Sequence, residues 1–210
     1  HVALNQIKYL SEAIRSGMLS SYGFFSQKCE DYFKDIFNSS DCFLTHSCTA
    51  ALEMTALLLE LEKDDEVIVP SFTFVSTANA FALRSCKIRW ADSQKFHPNT
   101  SIAEIEPLIN SKTKAIVVVH YAGFAVDMDP ILELCRKYHL ALIEDAAQAL
   151  NGFYKGQRLG SLGDFSTFSF HETKPISCGE GGLLVVNNKK YSDKARQILE
   201  KGTDRQAFLM

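Results

Sequence analysis

A lysine and an aspartate in this sequence each follow an apolar, strand-like segment, and both residue types can take part in cofactor chemistry. Lys174 comes just after segment 165–170 and just before the glycine-rich segment 179–182, and Asp145 ends the apolar segment 140–145. In open α/β sheets, ligands bind at the carboxyl ends of the strands. A lysine amine forms the Schiff base with pyridoxal phosphate, and a carboxylate keeps the pyridine nitrogen protonated. The two positions therefore predict a pyridoxal phosphate site with Lys174 as its catalytic residue.

Each of these two residues also has an ordinary structural interpretation. Asp145 could cap the amino terminus of a helix, and Lys174 could be a solvated surface lysine, as most lysines are. Phe168, Phe170 and Pro175 lie close to Lys174 in the sequence, which is not the pattern of a charged surface helix or a flexible loop. The combination of the two residues favours the functional interpretation.

A run of small residues opens a strongly apolar helical segment and could bind a phosphate. The run is Ser47-Cys48-Thr49-Ala50, directly before the rest of the predicted helix. The first N–H groups of a helix have no partner within it and carry its positive dipole end, so they attract anions. Ordinary capping by Ser47 or Thr49, without a ligand, explains the run equally well. Ser169 could add a hydroxyl to the same phosphate.

Aromatic and histidine residues near predicted strand ends are weaker candidates. Phe72 and Phe74 follow a strand and could stack on a flat cofactor ring, although core packing is the commoner role of an isolated phenylalanine. His120 and His171 lie near strand ends and could face the site. The six histidines lack metal-ligand spacing, and neither GxGxxG nor a Walker A sequence occurs, which disfavours a nicotinamide- or nucleoside-triphosphate-binding domain.

The hydrophobic pattern alternates strands with helices and predicts an α/β fold. Segment 115–119 is apolar throughout, as a strand covered on both faces requires. Pro70 is expected to stop a strand, Pro107 to weaken a helix, and Gly202 to end the last helix. We predict a mostly parallel sheet of about seven strands with helices on both faces. The predicted helices are 2–16, 26–37, 49–61, 75–84, 101–110, 129–138 and 190–201, and the predicted strands are 42–45, 66–69, 87–91, 115–119, 140–143, 165–170 and 183–186.

The composition narrows the class of protein. The chain has 210 residues, 46% of them hydrophobic, and a formal net charge of −3, which gives no reason to expect binding to nucleic acid or to an anionic membrane. No segment approaches the roughly 20 consecutive apolar residues that span a bilayer. The six cysteines form no CxxC pair. We therefore expect them to be reduced core thiols of a cytoplasmic protein without a metal site.

Several runs together resemble one enzyme family. They are PSFTFVSTANAF at 70–81, VVVHYAG at 117–123, IEDAAQAL at 143–150, and FSFHETK at 168–174 followed by GEGG at 179–182. The set is similar to the DegT/DnrJ/EryC1/StrS sugar aminotransferases, which belong to the fold-type I pyridoxal phosphate enzymes. The resemblance extends over nearly the whole chain. Lysine at position 174 argues against the related sugar dehydratases, which have histidine there.

The resemblance implies a role for each matching residue. Lys174 bonds to the cofactor and moves the proton between cofactor and substrate carbons. The remaining cofactor-binding residues contact the phosphate, the ring nitrogen, the ring hydroxyl or a face of the ring. They are Thr49, Ala50 and Ser169 at the phosphate, Asp145 at the pyridine nitrogen, Gln148 at the ring hydroxyl oxygen, and Phe74 and Ala147 on the two ring faces.

The resemblance also implies a reaction and partners. L-Glutamate gives its amine to pyridoxal phosphate, and the amine then passes to a nucleotide-linked keto-deoxysugar, with dTDP-4-keto-6-deoxyglucose as the expected acceptor, for cell-surface polysaccharide synthesis. A homodimer with the active site at its interface is expected. The alternative is a truncated, non-catalytic remnant that binds pyridoxal phosphate or acts as a regulator.

Members of the family have a second, smaller domain after the segment that this chain matches. We therefore expect residues 1–210 to form a single large, cofactor-binding domain, in which 1–40 is a helical segment. We also expect an incomplete transaminase activity of this chain alone. Residues 206–210 are expected to depart from the family pattern.

Overall fold

The computed structural model describes residues 4–20 and 23–204. Within them, short strands alternate with helices along the chain. The strands are β1 (Asp41–Thr45), β2 (Glu66–Pro70), β3 (Lys87–Ala91), β4 (Thr113–Val119), β5 (Ala141–Asp145), β6 (Phe153–Tyr154), β7 (Gln157–Arg158), β8 (Phe165–Ser169) and β9 (Gly182–Val186). The helices are α1 (Gln6–Ser16), α2 (Phe24–Phe37), α3 (Cys48–Leu58), α4 (Val75–Ala82), α5 (Ile102–Ile105), α6 (Met128–Tyr138) and α7 (Ser192–Leu199). No helix in these ranges is both long and apolar enough to cross a bilayer.

Seven strands form one sheet in the order β1-β9-β8-β5-β4-β2-β3. The pairs β2–β3, β2–β4, β4–β5 and β5–β8 are parallel, and β9 is antiparallel to both β1 and β8. Strands β6 and β7 form a separate small hairpin. The expected α/β fold with a mostly parallel seven-stranded sheet is therefore confirmed. Because β2, β4, β5 and β8 run in the same direction, the residues that follow them meet at one edge of the sheet.

Apolar layers cover both faces of the sheet. In β4, Ala115 and Val117 pack into a cluster with residues of α3, α4 and α7, whereas Ile116 and Val118 pack into another cluster with residues of α5 and α6. All four side chains are fully buried. The apolar character of segment 115–119 therefore follows from its central position in a sheet that helices cover on both sides.

The predicted helices 49–61 and 101–110 extend beyond the helices α3 and α5 of the structure. Helix α3 ends at Leu58 because Glu60 adopts a left-handed conformation (φ 53°), although Leu61 is still buried against the core. A buried residue just beyond a helix end continues the apolar pattern without continuing the helix. Segment 101–110 contains the single turn α5 and then a 3-10 turn with Pro107, because proline cannot donate the helical hydrogen bond.

Other details near the chain ends also differ from the predictions. The predicted helix 190–201 divides into a 3-10 turn at Lys189–Tyr191 and α7, and Gly202 follows the helix in a left-handed conformation (φ 77°). Residues 2 and 3 of the first predicted helix lie outside the described ranges. All six cysteines are unpaired, but Cys29 and Cys178 are exposed, so the expectation of six core thiols is wrong for these two.

Gly182 fixes the start of α3 against the sheet. A Cβ atom at this position would lie 2.4 Å from the carbonyl carbon of Ser47 and 2.5 Å from the backbone nitrogen of Cys48. Backbone atoms cannot move aside as a flexible side chain can. We predict that Gly182→Ala destabilises the chain by about 1–3 kcal/mol in urea unfolding, as overpacking does.

Gly179→Ala is the matched control for this prediction. The Cβ atom at Gly179 would meet no atom within 4 Å, so only the positive φ of 92° makes this change unfavourable. We expect Gly182→Ala, but not Gly179→Ala, to displace the first turn of α3 and weaken anion binding there. Equal effects of the two substitutions on anion binding would show that the close packing of Gly182 against the Ser47–Cys48 backbone does not position the start of α3.

Candidate active site

A cavity of about 390 Å³ opens at the edge of the sheet where the parallel strands end. This volume lies within the range of small-molecule sites, roughly 300–1,000 Å³. Seven of the eight predicted site residues line it, namely Thr49, Phe74, Asp145, Ala147, Gln148, Ser169 and Lys174. A larger hollow of about 650 Å³ lies at the opposite edge, beside residues such as His139 and Asn188, and contains none of the predicted residues.

Asp145 is the last residue of β5 and is 5% exposed. Its Oδ2 accepts a hydrogen bond of 2.7 Å from the Thr77 hydroxyl, and its Oδ1 accepts one of 3.1 Å from the Ala147 N–H. Burial raises the pKa of Asp145, while these hydrogen bonds and the positive charge of Lys174 oppose the rise. A cationic group bound beside Asp145 would stabilise its ionised form.

Lys174 lies in the loop between β8 and β9. Its backbone N–H donates to the carbonyl oxygen of His171 at 2.9 Å, and its side chain is half-buried at the cavity. Its positive charge lowers the pKa values of Asp145 and Cys48, although burial keeps both raised overall. Within the described part of the chain, no carboxylate lies within 4 Å of its amine. The amine is therefore free to react with a ligand in this cavity.

The amino terminus of α3 and nearby hydroxyl groups form one end of the cavity. The Thr49 hydroxyl donates to Ser76 Oγ at 2.8 Å, and Ser169 Oγ accepts the His171 N–H at 3.3 Å. Ser47 caps the helix, since its Oγ accepts the Ala50 N–H at 3.1 Å. Ala50 itself is buried and does not line the cavity. Its N–H would have to leave Ser47 in order to bind an anion, whereas the hydroxyls of Thr49, Ser76 and Ser169 lie at the cavity already.

Gln148 and Phe74 also line the cavity. Gln148 Oε1 accepts the N–H of Ala122 at 2.8 Å, which fixes the amide so that its NH₂ group is the remaining donor. Phe74 is 72% exposed, and Phe72, which is also exposed, makes an edge-to-face contact with Tyr121 at 4.8 Å between ring centroids. Core packing, the commoner expectation for an isolated phenylalanine, is therefore wrong for both.

The two candidate histidines have different environments. His120 is fully buried; its Nε2 lies 2.9 Å from Glu144 Oε2, and its Nδ1 accepts the Val126 N–H at 3.2 Å. Since Nδ1 accepts a hydrogen bond, Nε2 carries the ring proton and donates a hydrogen bond to Glu144. His171 is half-exposed, with its Nδ1 2.9 Å from the Thr173 hydroxyl. Both residues border the cavity.

Several polar residues of the cavity were not assigned a role from the sequence. Thr73, Ser76 and Thr77 lie around the first turn of α4, Tyr121 begins a 3-10 turn after β4, and Glu180 lies on the loop before β9. The repeated hydroxyls directly after β2 are a signal that could have identified the first three. The contact between Thr77 and Asp145 joins residues 68 positions apart, so no local pattern predicts it.

Comparison with known proteins relates this cavity to one enzyme family. The model of the DegT/DnrJ/EryC1/StrS aminotransferase family matches residues 2–209, so the expected departure from the family after residue 205 is wrong through residue 209. GDP-perosamine synthase from Caulobacter vibrioides is 36% identical over 200 residues, which are 95% of this chain and 54% of that protein. The chain spans about half the length of the curated relatives it matches.

Solved structures of aminotransferases have the same fold. The aminotransferase from Psychrobacter cryohalolentis superposes with a TM-score of 0.90 at 29% identity, over 93% of this chain and 50% of that one. The PLP-form of the putative sugar aminotransferase Spr1654 from Streptococcus pneumoniae gives 0.89 at 27% identity, over 95% of this chain and 56% of that one. The neighbours confirm the fold-type I architecture. By the family match over nearly its whole length, this chain belongs to the DegT/DnrJ/EryC1/StrS aminotransferase family.

Proposed function

We propose that this chain is the cofactor-binding part of an aminotransferase that moves an amino group from L-glutamate to a nucleotide-linked keto-deoxysugar. Its cofactor is pyridoxal 5′-phosphate. The observation that carries the proposal is the shared cavity of Lys174, whose amine has no carboxylate within 4 Å among the described residues, and the buried carboxylate of Asp145.

The donor set of the cavity fits this cofactor. Hydroxyl groups of Thr49, Ser76 and Ser169 surround the start of α3, where a phosphate is favoured by the helix dipole. Asp145 offers a buried anion for a protonated ring nitrogen, and the Gln148 NH₂ group can donate to a ring oxygen. Phe74 and Ala147 provide apolar surfaces for the ring faces.

Each residue then has a chemical task. When bound, pyridoxal phosphate withdraws electrons from the carbon that bears the substrate nitrogen and makes its proton acidic. Lys174 would supply the nucleophilic amine that holds the cofactor and would move this proton as a general base and acid. Asp145 would keep the ring nitrogen protonated. The hydroxyls at α3 would hold the phosphate and thereby orient the ring relative to the lysine.

The acceptor sugar is proposed from similarity in sequence. The runs SCTAALEMTALLL, PSFTFVSTANAFALR and SFHETK are similar to dTDP-4-amino-4,6-dideoxygalactose transaminase of the enterobacterial common antigen pathway, which makes dTDP-4-keto-6-deoxyglucose our first candidate. The relatives named GDP-perosamine synthase make a GDP-linked keto-sugar the second. Both substrates suit the synthesis of lipopolysaccharide or another cell-surface polysaccharide.

The remaining parts of the proposal concern organisation. We propose that residues 1–210 act as one large domain, with 1–40 as a helical segment. We also propose that the whole protein forms a homodimer with the active site at its interface and works in the cytoplasm. The homodimer follows from the family resemblance, and the cytoplasmic location follows from the six cysteines, which form no CxxC pair.

An isotope experiment tests the proposed reaction. The chain, loaded with pyridoxal phosphate, is mixed with ¹⁵N-labelled L-glutamate, and release of 2-oxoglutarate is measured, followed by label transfer to dTDP- and GDP-linked 4-keto sugars. We expect the label to reach the cofactor, with only incomplete transfer from there to one class of nucleotide sugar by this chain alone. A cofactor-loaded chain that takes no amine from glutamate would contradict the proposal and favour the non-catalytic alternative.

A further inference from the structure

Two threonine hydroxyls form a hydrogen-bonded chain that ends on Asp145. Thr73 Oγ1 lies 2.7 Å from Thr77 Oγ1, and Thr77 Oγ1 lies 2.7 Å from Asp145 Oδ2. Thr77 is 1% exposed and Thr73 is half-buried. This series of hydrogen bonds therefore runs from the partly exposed start of α4 to the carboxylate at the end of β5.

The ionised carboxylate sets the direction of these bonds. A carboxylate can only accept hydrogen bonds, so Thr77 must donate its one hydroxyl proton to Asp145. The Thr77 oxygen is then left as an acceptor for the hydroxyl proton of Thr73. Hydrogen bonds in such a series polarise one another, which strengthens the bond to the charged end.

The position of the carboxylate is fixed at both oxygens. Oδ1 accepts the N–H of Ala147, and Oδ2 accepts the hydroxyl of Thr77. Thr77 is the only side chain of the described residues that donates a hydrogen bond to Asp145. It comes from α4, whereas Ala147 lies only two residues after Asp145 in the sequence. The contact thus holds the carboxylate in place relative to a separate element of the cavity.

Other charged or titratable groups face Asp145 from the remaining elements. They are His120 after β4, Lys174 in the loop after β8, and Cys48 at the start of α3. The His120 ring is already bonded to Glu144 at 2.9 Å. No hydrogen bond within the described ranges joins Lys174 to Asp145. The hydroxyl of Thr77 is therefore the group best placed to orient the carboxylate and favour its ionised form.

We propose that Thr77 is a positioning residue of the active site, which holds Asp145 ionised and oriented towards the ring nitrogen of the cofactor, and that Thr73 orients the Thr77 hydroxyl. The significance of this arrangement for catalysis rests on the proposed function. The arrangement itself can be tested in the cofactor-free chain.

The test compares Thr77→Val, which replaces the hydroxyl with a methyl group of similar size, with Thr77→Ser, which keeps the hydroxyl. The first readout is the pH titration of the Asp145 carboxyl carbon by ¹³C NMR without cofactor, assigned with Asp145→Asn. We expect the pKa of Asp145 to rise in Thr77→Val and to stay near the wild-type value in Thr77→Ser. Thr55→Val is the control, since Thr55 is a buried threonine on α3 whose hydroxyl donates to the Leu52 carbonyl, away from Asp145.

The second readout is the affinity for pyridoxal phosphate at neutral pH. Loss of a hydrogen bond to a charged group should weaken binding by about tenfold or more in Thr77→Val, with a smaller loss in Thr73→Val. An unchanged Asp145 titration in a folded Thr77→Val variant would overturn the proposal. If the titration moves as expected but wild-type protein binds no cofactor, the positioning role stands and the proposed function fails.

Discussion

Replacing Lys174 by alanine is expected to abolish covalent capture of pyridoxal phosphate and transfer of the amino group. The side chain supplies both the amine that bonds to the cofactor and the group that moves the proton. General acid–base catalysis alone contributes a factor of roughly 10²–10⁴, so amine transfer from glutamate should fall by at least that factor. The measurements are the visible absorption band of the bound cofactor and the rate of 2-oxoglutarate release.

Lys63→Ala is the matched control for this substitution. Lys63 is exposed in the turn between α3 and β2, away from the cavity. We expect its replacement to leave the absorption band and the rate unchanged. An absorption band of equal strength in Lys174→Ala would show that another lysine holds the cofactor and would contradict the assignment.

Replacing Asp145 by asparagine is expected to have the second largest effect. Without the carboxylate, the ring nitrogen loses its anionic partner and is no longer held protonated, so the cofactor accepts electrons less well. Loss of one preorganised electrostatic partner typically slows catalysis by about 10²–10³, and we expect a reduction of that order with weaker cofactor binding. Asp193→Asn on α7, outside the cavity, is the control and should change neither quantity.

Although Asp145→Asn should weaken catalysis, we expect it to stabilise the folded, cofactor-free chain at a pH where Asp145 is ionised. Burial raises the pKa of Asp145 above its usual value, so the folded state binds a proton more tightly than the unfolded state. Stability therefore falls as pH rises from the usual aspartate pKa through the raised one. Asp145→Asn removes this loss. In urea unfolding at several pH values, the free energy of unfolding of the variant should therefore depend less on pH. A profile identical to wild type would contradict the proposed cost of the buried charge.

Much of the sheet could be predicted from the sequence because buried strand positions are occupied by apolar residues. Segment 115–119 is apolar at every position since helices cover both faces of β4. Asp145 stands out because a carboxylate ends such an apolar strand. Parallel strand direction then brings this residue and Lys174 to one edge, and the structure places both in one cavity.

Other features depend on contacts between distant segments, which no local pattern records. Leu61 continues the apolar spacing of α3 although the helix has ended, because its burial depends on tertiary packing. The Ala50 N–H donates to Ser47 Oγ, so this group caps the helix. The sequence alone did not show whether it would cap the helix or bind an anion. The bond from Thr77 to Asp145 likewise depends on the approach of α4 to β5.

The central claim is that the amine of Lys174 bonds to pyridoxal phosphate in the cavity that contains Asp145. Borohydride reduction of the cofactor-loaded chain, followed by proteolysis and mass spectrometry, measures this most directly because it identifies the modified lysine. We predict a single stoichiometric adduct on Lys174. An adduct on another lysine, or a spread over exposed lysines such as Lys63 with none on Lys174, would contradict the account.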